Sequence, residues 1–365
     1  MRIFFRTDAA LQIGTGHVMR CLTLADALRD REAQCCFICR EHPGNLIELI
    51  HQRGYDVHTL PYNENWGVQD EGSALAAWLG GDWQMDVEQT KVGIDDTVID
   101  WLIVDHYALD RRWESSMRSH CRRLMVIDDL ADRPHDCDLL LDQNLGRSQP
   151  DYVGLLHPDT TTLLGPQYAL IRSEFAALRP QSLARRATNL QLKRLLITMG
   201  GVDTDNVTGK VLNALKVCTL PDDLHITVVL GPHAPWLADV EAQAAKMPRP
   251  TQVLVGVSNM AELIAKSDLA IGAAGGTALE RCCLGLPSFV LVLAENQLAG
   301  AIALQNEGAI ILLETCGDLA EYLGPSYSVQ FAQQALKKLS ITASTVTDGK
   351  GCFRVVDHMM ERTHA

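Results

Sequence analysis

The residue types with the most chemical potential in this chain sit in one run, Arg6-Thr-Asp-Ala-Ala-Leu-Gln-Ile-Gly-Thr-Gly-His-Val-Met-Arg20. It follows the apolar run Ile3-Phe4-Phe5 and precedes Val18, Leu22, Ala25 and Leu28 at helical spacing, so it reads as strand, glycine loop and helix N-terminus. Such a junction gathers backbone N–H groups with no partner inside the helix, at the positive end of its dipole. Gly14 and Gly16 carry no side chain to crowd a ligand near that backbone. A histidine held there, His17, is biased toward the neutral form that accepts a proton near pH 7. The expectation is a general base beside an anionic substrate. A histidine after a glycine turn also serves simply to cap a helix or bond a carbonyl, and the residues alone leave both readings open. The run is no dinucleotide fingerprint, because the third glycine would fall at Met19.

A second glycine turn lies in Ile271-Gly-Ala-Ala-Gly275-Gly276-Thr277-Ala-Leu-Glu280. Thr277 is placed to cap a helix whose free N–H groups could hold a diphosphate at Gly275 and Gly276 without a cationic side chain. Glu280 has two readings: the third member of a capping box with Thr277, or an acceptor for two ribose hydroxyls. The apolar run Ser288–Leu293 ends in Ala294-Glu295-Asn296-Gln297, whose amides suit phosphate oxygens, although Asn296 could equally cap a helix. Met199-Gly-Gly-Val-Asp203 repeats the strand-to-glycine pattern and brings Gly201 into the same candidate set. Gly256-Val-Ser-Asn-Met260 could pair with a flat base edge or be a routine cap, and His233 reads as surface or substrate rim.

Polar clusters close three strand-like runs in the first half: Asp8, then Asp105-His106-Tyr107, then Asp128-Asp129. His106 offers a second acid/base or an orienting group. One of Asp8, Asp105, Asp128 and Asp129 is expected to orient His17, and the sequence does not say which. No HExxH or clustered Cys/His spacing calls for a metal, and no P-loop is present.

These residues need a scaffold. Strand-like runs at Ile3–Phe5, Cys35–Cys39, Tyr55–Leu60, Trp101–Val104, Leu124–Ile127, Leu139–Leu141 and Thr161–Leu164 alternate with helical patterns, which predicts a parallel sheet with right-handed crossovers. Pro180-Gln-Ser-Leu-Ala-Arg-Arg-Ala-Thr-Asn189 breaks the rhythm, and it restarts with Leu195–Thr198, His225–Leu230, Thr251–Val255, Leu269–Ile271, Ser288–Val292 and Ala309–Leu313. The expected fold is α/β, with two Rossmann-like, doubly wound parallel-sheet domains facing a cleft. They span 1–185 and 190–365, the last helix returning to the first domain. Residues 63–97 are polar and weakly patterned and read as an insertion around one helix, a candidate lid.

Length suits two domains: 365 residues, 47% hydrophobic and 21% charged, fit a globular chain with ample core. A net charge of −13 argues against nucleic acid and anionic membrane as partners. The eleven cysteines are odd in number and scattered, and Cys36 and Cys39 of a CxxC lie in a strand-like run, where positions three apart face opposite sides. Buried reduced thiols and a cytoplasmic setting are expected. No N-terminal signal peptide is read, and no apolar run approaches the ~18 residues that span a bilayer.

With those residues in view, the chain resembles the pseudaminic-acid-pathway UDP-sugar hydrolases. The resemblance rests on Arg6-Thr-Asp8, Ile13-Gly-Thr-Gly-His17 and Arg20, then Val104-Asp-His-Tyr107, Ile127-Asp-Asp129, Cys137-Asp-Leu-Leu-Leu-Asp-Gln-Asn144, Tyr168-Ala-Leu-Ile-Arg-Ser-Glu-Phe175, Met199-Gly-Gly-Val-Asp203 and Glu295-Asn-Gln297. It implies a GT-B type fold like that of the inverting transferase that adds N-acetylglucosamine to peptidoglycan lipid. It implies hydrolysis of UDP-2,4-diacetamido-2,4,6-trideoxy-β-L-altropyranose with no metal required; no cofactor is expected, and water attacking the face opposite UDP predicts inversion. By the same resemblance His17 activates water, Asn296 meets the diphosphate and Glu280 holds the ribose. The sugar side is then expected at Asp8, Gly14, Gly16, Asp105, Tyr107 and Asp128. The UDP side is expected at Gly201, Gly275, Gly276, Thr277, Glu280, Asn296 and Gln297. The implied partner is a small UDP-sugar, with the protein a monomer or weak oligomer. A UDP-sugar glycosyltransferase and a non-catalytic nucleotide-binding protein are the rival readings.

Overall fold

A computed structural model describes residues 1–63, 76–94, 98–188, 191–324 and 329–363. The chain divides into two compact units, Met1–Leu170 with Gly351–Ala365, and Ile171–Lys350. The first unit holds β1 (Arg2–Thr7), β2 (Gln34–Arg40), β3 (Asp56–Leu60), β4 (Ile99–Asp105), β5 (Cys121–Ile127), β6 (Leu139–Asp142) and β7 (Thr161–Leu164). They form one parallel sheet in the order β3-β2-β1-β4-β5-β6-β7.

Both faces of this sheet are covered, which is why its strands read as unbroken apolar runs. Alternate residues serve alternate cores. Ile3, Phe5, Trp101 and Ile103 pack with the helices Gly16–Arg29 and Gly351–Thr363. Phe4, Leu102 and Val104 pack with the helices Trp83–Ile94 and Arg111–Met117. Cys39 faces the first core and Cys36 the second, so the CxxC pair is split by the pleat. All eleven cysteines are free thiols.

The chain winds outward from β1 to β3, then returns to place β4 against the other edge of β1, with Thr7 opposite Asp105. The loops after β1 and β4 therefore part in opposite directions at the carboxyl ends of their strands. This is the switch point where open α/β sheets bind ligands, and it carries both the His17 loop and Asp105-His106-Tyr107.

Three sequence expectations are corrected here. The run Pro180–Thr188 is no break: it belongs to the continuous helix Ser173–Thr188, which carries Pro180 inside it. That helix packs in the second unit, so the division falls at residue 170, ahead of the expected 185–190. Its side chains explain why. Arg185 and Arg186 donate to the carbonyls of Ala265, Ser267, Ile264 and Leu284, and Ser182 also donates to Leu284. These bonds hold the helix despite the one that Pro180 forfeits.

The region 63–97 is not a peripheral insertion where it is described. Residues 64–75 and 95–97 of that expected insertion and lid lie outside the described residues. Within the rest, Trp83–Ile94 is the core crossover from β3 to β4. Its Asp86 is fully buried and receives Arg6 Nη2 at 2.6 Å, Arg40 Nη2 at 2.7 Å and Trp113 Nε1 at 2.9 Å. One carboxylate thus ties β1, β2 and two helices together. Asp86→Ala leaves two buried guanidiniums short of a counter-charge, and should cost ~3–5 kcal/mol. Urea denaturation checks this, and a loss below ~1 kcal/mol would refute the account.

The second unit contains β8 (Arg194–Thr198), β9 (His225–Leu230), β10 (Thr251–Val255), β11 (Leu269–Ala273), β12 (Ser288–Leu291) and β13 (Ile311–Leu313). Its parallel order is β10-β9-β8-β11-β12-β13, so its switch point lies between β8 and β11. The loops there are Met199–Asn206 and Ala274–Gly276. Glycine is obligatory at Gly231, where a β carbon would sit 1.9 Å from the Gly201 carbonyl oxygen. Among the described residues no helix is long and apolar enough to cross a membrane.

Candidate active site

The helix Gly16–Arg29 begins without a side-chain cap: Thr15 makes no cap bond and no acid lies in the first turn. His17 is its second residue. The Nδ1 of His17 lies 2.6 Å from Asp105 Oδ1, so the ring is neither a cap nor bound to a carbonyl. An ionised carboxylate can only accept, so Nδ1 carries a proton, and in the neutral ring the lone pair is then on Nε2. Nε2 has no protein hydrogen bond among the described residues, and the side chain keeps 8% of its surface exposed. The Tyr107 ring meets the imidazole edge-on, 4.5 Å between centroids, and fixes its plane.

Of the four carboxylates considered as His17's partner, Asp105 takes the role. It is the last residue of β4 and fully buried. Burial pushes its carboxyl up, but Arg20 and then His17 outweigh that and hold it well below the usual carboxylate range. Arg20 grips both oxygens, Nε to Oδ2 at 2.6 Å and Nη2 to Oδ1 at 2.7 Å. Arg20 thus joins the cluster, though it stands in the sequence motif without an assigned role. Its signal was the spacing, since residues three apart share a helix face.

The structure moves other expected sugar-side residues inward. Asp8 is fully buried: its Oδ1 accepts from the Arg40 N–H at 2.7 Å and lies 2.8 Å from Arg6 Nη1. It is a counter-charge in the core, with His106 Nε2 3.3 Å from its other oxygen. His106 is therefore no second acid/base. Its Nδ1 accepts from the Ala108 N–H, and burial pushes its pKa down. Asp128 is buried as well and closes a turn, accepting from the Ala131 N–H at 2.8 Å where Ala131 adopts a φ of 53°. Tyr107 commits its hydroxyl to Asp129 Oδ2 at 2.6 Å, and its ring also stacks on Trp78. Asp105, Tyr107 and His17 thus come together, while Asp8 and Asp128 do not join them. Gly14, with a φ of 80°, and Gly16 have open space where a β carbon would point.

At the second switch point the turn Ala274-Gly275-Gly276 leads into the helix Thr277–Cys283. The cap position is Gly276, with no side-chain bond. Thr277 is the first helical residue instead, and its Oγ1 accepts from Arg281 Nη1 at 3.2 Å. No capping box forms, so the structural reading of Glu280 falls away. Its side chain is 18% exposed, Oε1 lies 3.8 Å from Arg172 Nη2, and burial pushes its pKa up. Arg281, unremarked in the sequence, is fully buried beneath the turn and donates to the Ala273 carbonyl at 2.8 Å. Burial lowers its pKa to about 10.

The other glycine turn of this unit is closed to anions. Asp203 accepts from the N–H groups of Val207 at 2.8 Å and Thr208 at 2.9 Å, and Asn206 accepts from that of Gly209 at 3.0 Å. These side chains occupy the N-terminus of the helix Val207–Leu215. Gly201 serves there as the close neighbour of Gly231. Asn296 is exposed on the turn Glu295–Gln297 and does not cap the following helix, whose cap position is Gln297. Gln297 accepts from the Leu293 N–H at 3.1 Å, and its Nε2 lies 3.6 Å from where a Gly275 β carbon would be.

Two doubly wound parallel sheets of this order define the fold class as GT-B. Acinetobacter baumannii MurG shares the fold with a TM-score of 0.64, at 17% identity over 99% of each chain. In sequence, the chain is 24% identical to the UDP-2,4-diacetamido-2,4,6-trideoxy-β-L-altropyranose hydrolase of Campylobacter jejuni, across 84% of this chain and 97% of that protein. It is 26% identical to an uncharacterized protein of Methanocaldococcus jannaschii across 82% of its own length, and spans 56% of that relative. No protein-family model matches the chain.

Proposed function

We propose that the chain is a nucleotide-sugar hydrolase that cleaves the anomeric C–O bond of UDP-2,4-diacetamido-2,4,6-trideoxy-β-L-altropyranose, a step of pseudaminic acid biosynthesis. The observation that carries the reading is the His17–Asp105–Arg20 arrangement, which puts a proton on Nδ1, so that the neutral ring has its acceptor at Nε2, beside the switch point of the first sheet. The named Campylobacter relative supplies the substrate. The first unit works on the sugar, with Gly14 and Gly16 leaving it room. The second unit holds UDP through Gly275, Gly276, Thr277, Asn296 and Gln297, with Glu280 on the ribose.

In this mechanism Nε2 takes a proton from water as the water oxygen bonds to the anomeric carbon. The bond to UDP breaks and its electron pair leaves on the diphosphate. Water enters opposite UDP, so configuration inverts. A diphosphate spreads the departing charge, so one base suffices and the turn at Gly275–Gly276 stabilises the leaving group. The reading invokes no metal and places the enzyme in the cytoplasm.

The GT-B fold also admits a second reading, a UDP-sugar glycosyltransferase. Turnover of a panel of UDP-2,4-diacetamido sugars in heavy-oxygen water, without acceptor, separates the two. Free sugar carrying the label is expected. Turnover only with an added acceptor would mean a transferase, and label in UDP would mean P–O cleavage and overturn the mechanism.

A further inference from the structure

Arg20 is shared between two carboxylates. While Nε and Nη2 hold Asp105, Nη1 donates to Asp129 Oδ2 at 2.6 Å. Asp129 is itself fastened from two more elements: the Tyr107 hydroxyl donates to the same oxygen at 2.6 Å, and Asn144 Nδ2 to Oδ1 at 3.2 Å. Arg147 donates to its carbonyl at 2.8 Å.

The remaining geometry gives this pull a purpose. Arg20 Nη2 stands only 3.4 Å from His17 Nδ1. A guanidinium can only donate. Were it to drift toward the ring, it would favour the tautomer with the lone pair on Nδ1 and the proton on Nε2. That tautomer cannot take a proton at Nε2. Asp105 and Arg20 therefore compete for Nδ1, and Asp129 draws Arg20 away.

We propose that Asp129 is a positioning residue for His17, acting through Arg20 to keep Nδ1 bonded to Asp105 and the lone pair on Nε2. The proposal rests on the reading of His17 as the base. Among the described residues, the charged and titratable groups that meet the ring are Asp105, Arg20 and Tyr107, and Cys21 meets Asp105. Behind Asp129 stand Asp142 and Arg147, and Arg133 lies over the Tyr107 ring. Burial and then the Asp129 charge push the Asp142 carboxyl above the usual carboxylate range.

Asp129→Asn keeps the size and one acceptor oxygen but removes the charge. Nitrogen NMR of the imidazole is expected to show His17 as the Nδ1–H tautomer in the native protein and a mixture in Asp129→Asn. The variant's kcat should fall ~10- to 100-fold, on the scale of lost supporting contacts, with KM unchanged. Removing a negative charge makes the surroundings of the ring more positive and disfavours the imidazolium, so the acid limb of the pH–rate profile should move to lower pH. Asp129→Glu should restore much of each. A native tautomer and native pH profile in Asp129→Asn would overturn the proposal. If the native protein hydrolyses no UDP-sugar, the base reading fails, and the ring tautomer still decides the role of Asp129.

Discussion

His17→Ala should lower kcat for UDP-sugar hydrolysis by ~10²- to 10⁴-fold, the usual contribution of a positioned general base, while UDP binds as before. The two halves of this expectation have separate physical grounds. Nε2 is the ring's only nitrogen not held by Asp105, and removing it leaves water without an acceptor. UDP affinity is assigned to the turn Gly275–Gly276 and its neighbours in the other unit, which the substitution does not touch. Calorimetric titration with UDP beside steady-state kinetics checks both halves. An equal fall in rate and UDP affinity would remove His17 from the water side. A native rate in the variant would leave only a binding role.

Asp105→Asn should cost nearly as much, ~10²- to 10⁴-fold in kcat, because a carboxamide no longer enforces one tautomer. An ionised carboxylate obliges Nδ1 to carry the proton. An amide can turn its NH₂ toward Nδ1 and send the proton to Nε2, where it blocks catalysis. The same change weakens the fold, because Arg20, nearly buried, keeps only Asp129 as counter-charge. The pH dependence has a definite sign. Asp105 titrates below an ordinary aspartate, so its contribution is complete above the unfolded value near 3.9 and is lost as pH falls toward its own lower value. Thermal melts should show Asp105→Asn less stable than the native protein at pH 7, with the gap closing in strong acid. A constant gap across that range would mean that the carboxylate's charge contributes nothing.

Much of the architecture was legible from residue type alone. Parallel strands covered on both faces must be apolar at every position, so Trp101–Val104 and Leu269–Ile271 announce themselves without help from partners. Turn chemistry is local too, which is why the glycine loops before Gly16–Arg29 and Thr277–Cys283 could be placed. The two switch points follow from strand order, and strand order depends on pairings between distant segments. Helix Ser173–Thr188 misled because a proline and two arginines look like a linker until carbonyls at 264–267 and 284 receive the guanidiniums.

The sequence by itself determined the two sheets, the glycine loop that leads into His17 and the glycine turn that ends β11. These depend on period, turn residues and backbone freedom, all within a few positions of one another. Only the tertiary structure decided that Asp105 rather than Asp8, Asp128 or Asp129 faces the imidazole, that Asp8 is a core counter-charge and Asp128 a buried turn acceptor, and that Thr277 and Glu280 form no capping box. A carboxylate's role is set by which cation or N–H the fold brings within ~3 Å, and His17 and Asp105 are 88 residues apart until β4 pairs with β1.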